Sequence, residues 1–121
     1  MAVFRYLVND VDSAIEFYTK HLGFEPGKRW GKPFGMVHKG DLTLWLSGPG
    51  TSAARPMPDG RAPEPGGWNR AVVEVDDLPA LVEKMKAEGV KFRNDIVTGP
   101  GGSQILAEDP SGNAVELFEA Q

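Results

Sequence analysis

Few side chains in this sequence are typed and spaced for chemistry, and a carboxylate heads them. Glu116 falls in Ala114–Phe118, where strand alternation puts Ala114, Glu116 and Phe118 on one face and Val115 and Leu117 on the other. A carboxylate in a strand otherwise fit for burial is either a functional group or an edge charge. There is no cysteine, which removes disulfides, thiolate metal sites and a cysteine nucleophile. Of the two histidines, His21 belongs to the last turn of a helix, where a cation suits the helix dipole, and His38 ends a short strand beside Lys39 and Gly40. Surface, edge and turn roles suit them better than ligation, since one histidine with one carboxylate is too few ligands for a metal. Ser13, Ser47, Ser52, Ser103 and Ser111 sit in caps, turns, loops or strand ends with no histidine brought near by a motif, so acyl transfer has no support. Gly99-Pro100-Gly101-Gly102 lacks the Gly-Lys-Ser/Thr ending of a phosphate loop. Among the aromatics, Trp45 alternates with Leu44 and Leu46 and reads as core facing a helix layer. Trp30 and Trp68 flank the loop segments GKRWGKPF and PGGWNR. Each would either wall a cavity for a flat or amphipathic molecule or pack as a lid on a hydrophobic edge.

These groups must be positioned by 121 residues, one domain by length. The composition, 40% hydrophobic and 25% charged, is globular. A net charge of −4 without a basic stripe makes nucleic acid and anionic membrane poor partners. MAVFRYLVND has no signal-peptide h-region, and no apolar run reaches membrane-spanning length, so the expectation is a soluble, cytoplasmic protein. Val3–Val8 reads as a strand with Val3, Arg5 and Leu7 on one face. Asn9–Asp12 breaks it and caps a helix, Ser13-Ala14-Ile15-Glu16 has the capping-box form, and Gly23 stops the helix. Short strands follow at about Gly35–His38 and Leu42–Ser47. Gly48–Gly67 carries no periodicity and many Pro and Gly, and reads as a connection that also borders a site.

The second half repeats the first. Arg70–Val75 is a strand, Asp77 caps a helix with Pro79 near its first turn, and Gly89 ends it. Gln104–Glu108 and Ala114–Phe118 are joined by the turn Asp109-Pro110-Ser111-Gly112-Asn113, in which Pro fixes φ and Gly and Asn tolerate positive φ. Val8-Asn9-Asp10-Val11 recurs 67 residues on as Val75-Asp76-Asp77-Leu78, and Leu44-Trp45-Leu46 recurs 72 on as Glu116-Leu117-Phe118. The chain is two copies of a βαβββ unit, module one at 1–47 and module two at 69–121, with a lid or linker loop at 48–68. Each copy has a sheet face to bury, which a pairing of modules, within one chain or across a dimer, would cover.

This duplication, with FYTKHLGFE ending the first helix, VEVDDL entering the second and EDPSGNAVELFE near the end, resembles the vicinal oxygen chelate superfamily. Its members include glyoxalases, extradiol dioxygenases, fosfomycin-modifying enzymes and bleomycin-binding resistance proteins. The resemblance implies an α+β fold of curved mixed sheets, a homodimer with shared cavities, and a divalent metal (Mn, Fe, Ni or Zn) held by His in a module's first strand and Glu in its last. Carried onto this chain, those positions fall at Val3, Arg70, near Leu44, and at Glu116. Only Glu116 is a competent ligand, because Val and Leu have no donor atom and Arg stays protonated. His38 is a remote substitute. The resemblance also turns Arg5 toward the cavity, so that Arg5 or Arg70 would pair with Glu116 where a metal would sit, with Glu74 a competing partner for Arg70. The pair would be either a structural ion pair or leave an Arg free to clamp an anionic or carbonyl-bearing ligand. The sequence therefore points to a small-molecule binding protein without a cofactor, its site at Arg5, Arg70, Glu116, Trp30 and Trp68. A metal-dependent lyase or dioxygenase and a catalytically silent scaffold are the alternatives.

Overall fold

Strand propensity and two capped helices give an α+β architecture. The computed structural model describes residues 2–121. In chain order the elements are β1 (Ala2–Leu7), α1 (Val11–Leu22), β2 (Glu25–Trp30), β3 (Phe34–Lys39), β4 (Leu42–Ser47), a 3₁₀ turn (Ser52–Ala54), β5 (Val72–Glu74), α2 (Leu78–Ala87), β6 (Lys91–Phe92), β7 (Val97–Gly99), β8 (Gly102–Glu108) and β9 (Ala114–Ala120). They form two compact units. The first runs to Gly66 and takes in Pro110–Asn113; the second holds Gly67–Asp109 and Ala114–Gln121. The loop read as a linker therefore belongs to the first unit as far as Gly66.

The first unit is a mixed sheet in the order β1-β4-β3-β2, with β1 parallel to β4 and the other pairs antiparallel. Helix α1 is capped at Asp10, within the Asn9–Asp12 stretch expected to cap it, whose carboxylate accepts from the Ser13 N–H at 3.0 Å, while Ser13 lies inside the helix and not at its cap. The helix ends at Gly23, whose φ of 73° is left-handed and whose N–H reaches the Tyr18 carbonyl, as expected. Its apolar face, Val11, Ala14, Phe17, Tyr18 and Leu22, is buried. In the same core lie Tyr6, Val37, Leu44 and Leu46. Tyr18 is the hinge of the packing, its ring 5.9 Å from Tyr6, 5.0 Å from Phe17 and 5.6 Å from Phe24.

Strand β2 was not expected. EPGKRW contains Pro and Gly and is exposed throughout, so it carries no alternation. It survives as a sheet edge, where a missing N–H is tolerated, with its register to β3 shifting between Pro26 and Arg29.

The second unit orders its strands β5-β9-β8-β6, with β7 also on β8. The short strands β6 and β7 share the position that β2 holds in the first unit. Between them Asn94 accepts from the Leu106 N–H at 2.9 Å, a side chain standing in for a ladder bond. Asp77 caps α2 through the Ala80 N–H, and Leu78, Val82 and Met85 are buried, as are Val73, Ile105, Val115 and Leu117.

Candidate functional site

Register on the first sheet decides which side chains share a face. Arg5 is the partner of Trp45, and Trp45 of Met36; Val3 is the partner of Thr43, and Thr43 of His38. Two cross-strand rows, Arg5-Trp45-Met36 and Val3-Thr43-His38, thus stand on the face away from α1. Trp45 is not core as expected. Leu44 and Leu46 on either side of it are fully buried beneath the helix, and the tryptophan is half-buried on the open face. Three apolar residues in succession leave alternation nothing to discriminate, and the pair of leucines takes the core side.

On this face a cavity of about 440 Å³ is lined by Trp30, Met36, His38, Thr43 and Trp45, with Gly27, Lys28 and Gly40 completing its rim. Gly27 lets β2 lie close, since a Cβ there would come within 3.3 Å of the Met36 Cβ. Trp30, 54% exposed, leans on Phe34 at 5.5 Å, and Phe34 meets Trp45 edge-on at 6.0 Å. The Arg5 guanidinium lies 5.0 Å above the Trp45 ring and donates from Nη1 to Ser47 Oγ at 3.1 Å. Trp45 Nε1 is buried and has no hydrogen-bond partner among the described residues. His38, read as an edge residue, joins the cavity because it shares a strand face with Met36.

The second unit holds the other predicted residues. Arg70 donates from Nε and Nη2 to Glu116 Oε1 at 3.0 and 2.8 Å, and from Nη1 to the Trp68 carbonyl at 3.2 Å. The side chain of Glu116 is 9% exposed and that of Arg70 31%. Of the two guanidinium partners foreseen for Glu116, Arg70 is the one; Arg5 is engaged by Trp45 and Ser47, and Glu74 is exposed. Trp68 is exposed, with one face under the Arg93 guanidinium at 4.6 Å. Arg93 also pairs with Glu108 at 2.9 Å and donates to the Gly67 carbonyl, so it fastens the stretch that carries Trp68.

Register also corrects one metal position. Arg5 pairs with Trp45 as Val72 pairs with Glu116, so the residue of module one equivalent to Glu116 is Trp45, one beyond Leu44. The four positions then carry Val3, Trp45, Arg70 and Glu116, and the carboxylate among them is bound by a guanidinium. Among the described residues no group of three or more His, Asp or Glu side chains is placed to hold a metal ion. The donor set does not fit the superfamily's metal centre.

Residues 1–117 match the family described as the Glyoxalase/Bleomycin resistance protein/Dioxygenase superfamily, and the chain belongs to it. A superfamily member from Sphaerobacter thermophilus is similar in structure with a TM-score of 0.77 and 25% identity, over 98% of this chain and 95% of that one. TnmS3, an antibiotic binding protein from Streptomyces sp. CB03234, gives a TM-score of 0.74 and 26% identity over 98% and 93%. CFP32 of Mycobacterium bovis, named as a candidate glyoxylase, is 33% identical over 117 residues, which are 92% of this chain. The chain spans less than half, 42%, of that relative's length. No helix among the described residues is long and apolar enough to cross a membrane.

Proposed function

We propose that this chain is a metal-independent small-molecule binding protein, similar to the drug-sequestering members of its superfamily, and that it works as a cytoplasmic homodimer. One observation carries the reading: the first sheet has a cavity walled by Trp30, Met36 and Trp45 where module one would place metal ligands. Aromatic walls with a few polar groups bind ligands without chemistry. Its likeness to TnmS3 supports the same reading. The dimer is supported by apolar side chains left on open sheet faces, Val3 at 41% and Val72 at 49% exposure. Likeness to CFP32 favours a lyase or dioxygenase of the glyoxalase type. That alternative needs a divalent ion at positions where Glu116 alone is a ligand and Arg70 already holds it.

Protein purified without chelator is expected to carry substoichiometric Mn, Fe, Ni and Zn, and EDTA is expected to leave its melting temperature unchanged. A stoichiometric metal whose removal lowers the melting temperature would overturn the reading in favour of the enzyme. A thermal-shift screen of organic ligands should give stabilisers, whereas a silent scaffold would give none. Sedimentation equilibrium showing monomer alone would remove the dimer.

A further inference from the structure

We infer that the ligand of the first sheet's cavity is a flat aromatic anion, an aryl carboxylate, sulfonate or phenolate. This rests on the proposed binding function and adds the ligand's charge and shape to it. Flatness follows from the walls: Trp30 and Trp45 present rings to a cavity of about 440 Å³ whose floor is the unbranched side chain of Met36.

The sign of the charge follows from which ions are unpaired. Lys28 and His38 line the cavity, and no Asp or Glu does. Glu25, the register partner of His38, is outside the lining. Lys28 Nζ, within the lining, lies 5.9 Å over the Trp30 ring, and Arg5, outside the lining, lies over Trp45. Neither cation has a carboxylate partner among the described residues, whereas Arg29 is held by Asp12 at 2.7 Å, Arg70 by Glu116 and Arg93 by Glu108. A lining that holds Lys28 and no carboxylate is complementary to an anion. The Lys28 ammonium has three donors and no acceptor, which suits a carboxylate or sulfonate. The third observation is independent of charge. Trp45 Nε1–H is buried and unpaired, and a buried donor without an acceptor is costly unless a ligand or water supplies one. Donor and ring both belong to Trp45, and Lys28 lines the same cavity.

Two dyes with the same ring framework separate the possibilities: anilinonaphthalene sulfonate, an anion, and phenylnaphthylamine, its uncharged counterpart. Both are titrated by fluorescence against the wild-type protein. The sulfonate should bind at least about tenfold tighter, or about 1.4 kcal/mol. That margin should shrink from about 10 mM to about 1 M salt, as the screening length drops from about 30 Å to about 3 Å. Lys28→Gln, at an exposed position of the lining, should remove most of the preference. Met36→Trp, which narrows the cavity, should weaken both dyes. Equal affinities, or a preference untouched in Lys28→Gln, would overturn the anion while leaving the cavity as a binding site. Failure of both dyes to bind, or binding indifferent to Met36→Trp in a protein that still melts cooperatively, would overturn the binding site itself.

Discussion

At the scale of single residues, the two arginines foreseen for one site have different work. Arg70 is spent on Glu116 and the Trp68 carbonyl, while Arg5 has only a hydroxyl and a ring. Removing Arg70 would strand a carboxylate whose side chain is 9% exposed. Stranding a buried charge costs several kcal/mol, and partial exposure of the arginine brings this down. Arg70→Ala is therefore expected to lower stability in urea unfolding by about 2 kcal/mol, and Glu116→Gln, which keeps an acceptor without the charge, by about 1 kcal/mol. Losses in the opposite order would show that the carboxylate is solvated and the pair dispensable. This contact was legible in the sequence because Glu116 is polar between Val115 and Leu117, so alternation and resemblance agree on its face. The stack of Arg5 on Trp45 was not. Leu44, Trp45 and Leu46 are all apolar, and choosing the face of the middle one requires the cross-strand register, in which an error of one residue inverts every side chain.

At the scale of elements, the sequence revealed the helices best. Gly23 and Gly89 stop them and Asp77 caps the second, because these signals are local and strong. The edge strands β2, β6 and β7 were lost because an edge needs no burial pattern, and its bonds come from a neighbour distant in sequence. The turn at 109–113 hid more than it showed. Asn113, chosen for its turn chemistry, is 3% exposed, donates from Nδ2 to the Leu7 carbonyl at 2.7 Å and accepts at Oδ1 from the Gly66 N–H at 2.8 Å. It thereby clamps the end of the 48–66 loop to the end of β1. Asn113→Ala should destabilise by about 1 to 2 kcal/mol, the loss of two hydrogen bonds from a buried side chain to part-buried backbone groups. It should also speed tryptic cleavage at the exposed Arg61, which precedes Ala62, under native conditions. Cleavage at the wild-type rate would mean that the loop is held by other contacts.

At the scale of the molecule, the duplication that organises the sequence is retained in topology: each unit has a parallel pair, β1 with β4 and β5 with β9, joined through a helix. It is broken in chemistry, since Trp45 in one copy answers to Glu116 in the other. That asymmetry gives one copy an aromatic face and the other an ion pair. The place of Pro110–Asn113 has a consequence for divisibility. Four residues at the tip of the β8–β9 hairpin belong to the first unit, and Ser111 Oγ there accepts from the Asn9 N–H at 2.8 Å. A gene for the first repeat alone would make a chain lacking acceptors and donors that its own backbone requires. Fragments cut after Gly66 are expected to be unstructured by circular dichroism when separate and to regain structure only when mixed. A first fragment that folds alone would show the tip to be ornamental. The first unit is completed by four residues drawn from the second repeat, so the chain does not divide at the boundary of its own duplication.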